Sequence, residues 1–247
     1  MLFYLAPMEG ITGYIVRNAY AHYFPYIDKY FTPFIPAVKK MSKKIKRDLA
    51  AENNEQIRLV PQLIGNRADE FLMMIRQLED LGFTSVNLNF GCPSGTVVSK
   101  RKGAGFLADP KELEMLLEEV LENSPLAVSV KTRVGIKDPD EWEALCTAYA
   151  KFPLEELIIH PRLQKDYYSG TPRMETFARA LEQIHVPLCY NGDICSVEDY
   201  KKVTAAFPAI DRIMIGRDYW KIPDWLEKSK ETHRQIKPGC GRSMMKF

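Results

Sequence analysis

The chain of 247 residues has no Cys-x-x-Cys pair, and its four histidines add no spacing suited to metal ligation. Structural zinc is held by such closely spaced thiolates and imidazoles, so no metal centre is expected. The five cysteines stand at 92, 146, 189, 195 and 240, an odd number without a secretory signal, which argues for reduced thiols. The opening MLFYLAPMEG lacks a basic leader, and its apolar run stops at Pro7, too early for a signal peptide. No stretch approaches the ~20 apolar residues of a bilayer-spanning helix. Repeats and low-complexity tracts are missing as well. Charge of one sign is not in excess either: 34 basic and 32 acidic residues leave a formal +2, which by itself does not announce a nucleic-acid partner. These absences predict a soluble, cytoplasmic protein without metal or membrane.

What charge there is sits unevenly. Residues 39–47, KKMSKKIKR, carry six basic side chains in nine positions, and Lys100, Arg101 and Lys102 form a second cluster. Such runs are often only solvated faces, but they also suit a phosphate backbone. The length fits one large domain, or one with a small appendage.

Short β-rich runs alternate with helical patterns throughout. Strands are expected near 3–6, 29–33, 59–64, 85–90, 127–132, 157–160, 188–191 and 212–215. Helices are expected over 66–81, from Asp109 with Pro110 at its first position, and over 140–151, 173–184 and 196–207. The stretch 36–58 is less regular, and its Lys-rich part reads as a long loop or an exposed helix. Eight strands alternating with helices predict an α/β fold, a (β/α)₈ TIM barrel, over residues 1–235, with a short tail at 236–247. A doubly wound open sheet is the alternative; it would prefer a Gly-x-Gly-x-x-Gly turn after the first strand, and ITGYIVRN supplies none.

The most informative segment is NLNFGCPSGTVVSKRKGAGFLADP, residues 87–110. Val86, Leu88 and Phe90 alternate with Asn87 and Asn89, as a strand requires, and Cys92 follows on a Gly-Pro turn. Strand ends carry catalytic groups in barrels, so Cys92 is placed to meet a ligand. A small buried structural cysteine is the competing reading. In VSVKTR, Ser129, Lys131 and Arg133 share one strand face; burying that ammonium is costly unless an acceptor or negative charge awaits it. Barrels often hold phosphate at the loops after strands 7 and 8, which begin here with Asn191-Gly192-Asp193 and Gly216-Arg217.

Asn89 to Pro93 and Gly103 to Gly105 resemble the Asn-x-Gly-Cys-Pro and Gly-Ala-Gly signatures of the tRNA-dihydrouridine synthases. The resemblance runs from residue 3 to residue 217, with its motifs in order. It implies FMN as cofactor, NADPH or NADH as reductant, tRNA as substrate, and Cys92 as the general acid. It further implies that Pro7, Met8 and Glu9 of LAPMEGIT lie against the flavin and that Gln62 hydrogen-bonds its ring. Lys131 would stabilise the reduced flavin, His160 of IIHPR would contact it, and Asn191, Gly192, Asp193, Gly216 and Arg217 would hold its phosphate. Asn89, Arg133, Arg162 and Tyr168 would serve the substrate nucleotide. Two alternatives stand beside this: a flavin dehydrogenase of a free pyrimidine, similar to dihydroorotate dehydrogenase, or a non-catalytic flavin- or RNA-binding remnant. Family members continue into a helical domain that grips tRNA. Here thirty residues follow Arg217, of which Ile222, Trp225 and Leu226 could form an eighth helix. Weak tRNA binding, mainly through the basic loops, is the expectation.

Overall fold

Strands such as LFYL and LIIH carry apolar residues on both faces, and a parallel sheet buried on both faces is what such strands build. A computed structural model describes residues 1–216. Among these, ten strands form one sheet and every pairing is parallel. They are β1 (Leu2–Leu5), β2 (Lys29–Phe31), β3 (Ile35–Pro36), β4 (Leu59–Val60), β5 (Gln62–Ile64), β6 (Ser85–Phe90), β7 (Ala127–Arg133), β8 (Leu157–His160), β9 (Leu188–Tyr190) and β10 (Arg212–Ile215).

The sheet closes on itself, as expected for a barrel. β4 pairs with β2, and β5 pairs with β6, so the run through Pro61 joins the two ends of the strand order. Pro61 has no N–H to donate and therefore splits the single strand expected at 59–64 into two. Its carbonyl still accepts from Asn87 N at 2.9 Å. The short β3, which periodicity did not reveal, pairs beside β5 where the chain leaves β2.

Eight helices surround the described sheet: α1 (Tyr14–Tyr23), α2 (Lys43–Leu49), α3 (Ala68–Glu79), the single turn α4 (Gly95–Val98), α5 (Pro110–Asn123), α6 (Glu141–Ala150), α7 (Met174–Gln183) and α8 (Val197–Ala206). The stripe Phe71, Met74, Ile75 and Leu78 of α3 is fully buried, as its spacing predicts. Asp109 caps α5 by accepting from Lys111 N at 3.0 Å and Glu112 N at 3.1 Å. The Lys-rich segment takes the helical alternative: α2 is exposed and capped by Ser42, whose hydroxyl accepts from Ile45 N at 3.3 Å. Helix α1 had no clear pattern because its buried face includes Arg17, a charged residue.

Two apolar layers result. Val86, Leu88 and Phe90 point outward under the helices, while Tyr4, Phe31, Val60, Ile158, Cys189 and Met214 fill the barrel interior. Below that plug, at the strand starts, Glu156 is fully buried yet fully engaged. It accepts from Lys29 Nζ at 2.7 Å, Tyr4 Oη at 2.8 Å and Arg212 Nη1 at 3.1 Å. A buried carboxylate persists only with such partners, and these seal the lower end. What remains open is the end where the strands finish. The eighth helix expected beyond Arg217, and the tail at 236–247, lie outside the described residues.

Candidate active site

A cavity of about 390 Å³ opens at the carboxyl ends of the strands, within the size range of small-molecule and cofactor sites. Its floor begins with a polar ladder across three strands. Gln62 Nε2 donates to Asn87 Oδ1 at 2.8 Å, and Asn87 Nδ2 donates to Ser129 Oγ at 2.9 Å. Asn89 Nδ2 donates to Gln62 Oε1 at 2.8 Å. All four side chains are buried, so each hydrogen bond also removes a desolvation penalty.

The other end of Asn89 sets the cysteine. Its Oδ1 accepts from Gly91 N at 3.0 Å and Cys92 N at 2.9 Å, which folds the turn after β6 and brings Cys92 to the cavity wall. Asn89, expected to serve the substrate, lines the cavity, and its amide bonds Gln62 and this turn. Gly103, at φ +55, has left-handed backbone, and a Cβ there would meet the Cys92 carbonyl oxygen at 2.8 Å. A Cβ at Gly105 would meet Val98 O at 2.7 Å. The Gly-Ala-Gly stretch is thus the surface on which the cysteine loop rests. Burial pushes the Cys92 thiol above its ordinary range, against the opposing pull of the Ser94 backbone contact and of Lys131 and Arg133.

On the neighbouring strand, Lys131 lines the same cavity, half-buried. It has no hydrogen-bond or ion-pair partner among the described residues, whereas the buried Arg17, Lys29 and Arg162 are each ion-paired and the buried Arg133 is bonded to carbonyls. Desolvation, helped by the charge of Arg133, lowers its pKa to about 8. An uncompensated ammonium facing a cavity is the arrangement that an anionic or acceptor-rich ring requires. The residues present therefore fit a flavin: Lys131 for the electron-rich edge, Gln62 beneath, and Pro7, Met8 and Glu9 on the β1 side of the same wall.

Asn191, Gly192, Asp193 and Gly216 also reach the cavity. Asn191 Nδ2 donates to Met214 O at 2.9 Å, tying β9 to β10 where the phosphate loops begin. A Cβ at Gly216 would find only Ala6 Cβ, at 3.8 Å, so the backbone there is open to approach. Arg217 lies outside the described residues.

His160 and Tyr168 complete the lining, their rings 6.3 Å apart. The two arginines expected to reach toward substrate do not extend into solvent. Arg133 is buried and donates to Gly91 O at 3.0 Å, Leu163 O at 2.8 Å and Tyr167 O. It still touches the cavity, its guanidinium 5.4 Å from the Tyr168 ring. Arg162 is withdrawn from the cavity lining altogether and ion-paired to Asp193. Loop carbonyls and, for Arg162, the Asp193 carboxylate are strong acceptors that hold these forks in place. Phe34, Ile11 and Cys195 line the cavity without having been singled out from the sequence. Only the position of Phe34 just beyond β2 could have marked it. Among the described residues no cluster could hold a metal ion, and no helix is long and apolar enough to cross a membrane.

Comparison with known proteins agrees with this geometry. The model of the dihydrouridine synthase family matches residues 4–245. The chain is 32% identical over 229 residues to the tRNA-dihydrouridine(16) synthase of Pseudomonas putida, covering 89% of this chain and 70% of that protein. It is 30% identical over 231 residues to the tRNA-dihydrouridine(16) synthase of Pseudomonas syringae, covering 89% and 72%. Among solved structures, histamine dehydrogenase from Rhizobium superposes with a TM-score of 0.68 at 12% identity, over 94% of this chain and 46% of that one. Morphinone reductase in complex with tetrahydroNAD superposes at 0.63 and 11%, over 93% and 86%. At such identities these two show the shared barrel alone.

Proposed function

The chain belongs to the dihydrouridine synthase family, and we propose that it reduces uridines in tRNA to 5,6-dihydrouridine with bound FMN and NADPH, or NADH, as reductant. The observation that carries this reading is the pairing of functions on adjacent strands. β6 leads to a thiol whose pKa burial raises, and β7 presents to the same cavity a cation without a partner among the described residues.

When bound, FMN supplies the hydride for carbon 6 of the uracil. The chain's own residues do the rest. Cys92 gives its thiol proton to carbon 5; a thiol kept above its ordinary pKa retains that proton at neutral pH. Lys131 would hold the electron-rich side of the cofactor with its charge. Asn89 fixes the Cys92 backbone, so the acid is aimed before substrate arrives. The target uridine must leave the base stack, because a stacked pyrimidine has no free face.

Nucleoside mass spectrometry of tRNA from cells with and without this gene tests the reading: dihydrouridine should fall at one or more positions in the deletion and return on complementation. Unchanged dihydrouridine at every position would sink it. Purified protein turning over a free pyrimidine acid but not undermodified tRNA would favour the dihydroorotate-type alternative.

A further inference from the structure

A guanidinium has five N–H donors, and in Arg162 all five are used. Nε donates to Ser169 O at 3.1 Å; Nη1 donates to Asp193 Oδ1 at 2.7 Å and stands 3.1 Å from His160 Nε2; Nη2 donates to Gly170 O and Asp193 Oδ2. The side chain is 1% exposed. Arginine has no acceptor atom and keeps its charge at any working pH. In the contact with His160 it must therefore donate, and the Nε2 lone pair must accept. The ring proton then belongs on Nδ1. An imidazolium would set two N–H groups and two positive charges against each other.

Two further cations among the described residues point the same way. Arg133, in register with His160 across β7 and β8, adds a second cation, and Lys131 stands on the same strand. Asp193, the carboxylate that approaches from the β9 loop, is held by both outer nitrogens of Arg162. Tyr168 contributes a ring face.

We propose that Arg162 is a positioning residue that holds His160 as the neutral Nδ1–H tautomer while locking the loop after β8 to the loop after β9. His160, which lines the cavity, then carries its single ring proton on Nδ1 and does not compete with Cys92 as a proton source. The inference deepens the flavin reading, since it settles what His160 can offer the cofactor, but the geometry behind it belongs to the protein alone.

The test uses flavin-free protein labelled with ¹⁵N-histidine, read by long-range ¹H–¹⁵N correlation at neutral pH. In the wild type, His160 should show a pyridine-type Nε2 and a pyrrole-type Nδ1. Arg162→Lys keeps a cation for Asp193 but cannot span both partners, so the His160 pattern should shift toward the Nε2–H or averaged form. The other three histidines should not move. A wild-type ring that is protonated on Nε2 or doubly protonated overturns the proposal, whether or not the variant folds. An unchanged pattern in a folded Arg162→Lys overturns it too. Flavin uptake is measured separately: a wild type with the expected tautomer that takes up no flavin would contradict the proposed function and leave the role of Arg162 standing.

Discussion

Gly103 lies directly against Cys92: a Cβ on residue 103 would sit 2.8 Å from the Cys92 carbonyl oxygen and 3.0 Å from its Cβ. Ala104 N also donates to that carbonyl at 3.0 Å, so the contact is fixed by a hydrogen bond as well as by space. Gly103→Ala should therefore lower stability by about 2 kcal/mol or more, combining left-handed strain with overpacking. Because the clash is with the Cys92 loop, dihydrouridine formation should fall further than flavin binding. Denaturant melts and flavin titration of the variant check this, and loss of both in equal measure would argue against a local effect.

The raised pKa of Cys92 sets its reactivity. Alkylation by iodoacetamide requires the thiolate, so its rate at this residue should be low at neutral pH and climb above pH 9. Cys92→Ala should bind flavin and oxidise NADPH normally while losing ~10²–10⁴-fold in product formation. Peptide mapping of alkylated protein measures the first; fast alkylation at pH 7 would mark Cys92 as a nucleophile rather than an acid.

Lys131 costs the ligand-free fold stability. Its ammonium titrates near the ordinary lysine value of 10.5 when unfolded and at about 8 in the fold. Between those values the unfolded chain binds more protons, so the cost fades as pH rises through that window and is complete below it. Lys131→Met should stabilise the flavin-free protein at pH 7 by on the order of 2–3 kcal/mol, with little gain at pH 10.5. The same variant should bind flavin more weakly. Urea denaturation at the two pH values decides, and a variant less stable than wild type at pH 7 would contradict the account.

Some exposed cations elsewhere in the barrel are paired, as Arg101 is with Glu112 and Arg179 with Glu143, while Lys100, Lys137 and Lys165 have no ion pair among the described residues. Those of residues 39–47 have no ion pair among the described residues, and the adjacent Asp48 is turned inward to Arg17 at 3.1 Å. Replacing Lys39, Lys40, Lys43 and Lys44 with Gln should weaken tRNA binding and flatten the dependence of log K on log salt by ~1–3. Cys92→Ala should leave that slope unchanged. An unaltered slope in the fourfold variant would place the RNA contact elsewhere.

Much of this architecture follows from local sequence. The two-residue period of 85–90, the stripe of α3 and the Asp109–Pro110 cap each rest on residues a few positions apart, and each forms as expected. So does the gathering of Pro7, Gln62, Cys92, Lys131, His160 and Asn191, because Pro7, Cys92, His160 and Asn191 stand at the ends of strands and Gln62 and Lys131 lie on strands beside them. What local pattern could not decide is which polar groups consume one another. Arg162 finds Asp193 thirty-one positions away, and Arg133 finds the carbonyl of Gly91 forty-two away. Both brace the fold, and Arg133 also lines the cavity. Lys131 differs from them only in that folding brings it no acceptor among the described residues. Periodicity specifies which way a side chain points; whether a charge arrives opposite a partner or opposite a cavity depends on closure of the barrel, which sets those distances only in the folded chain.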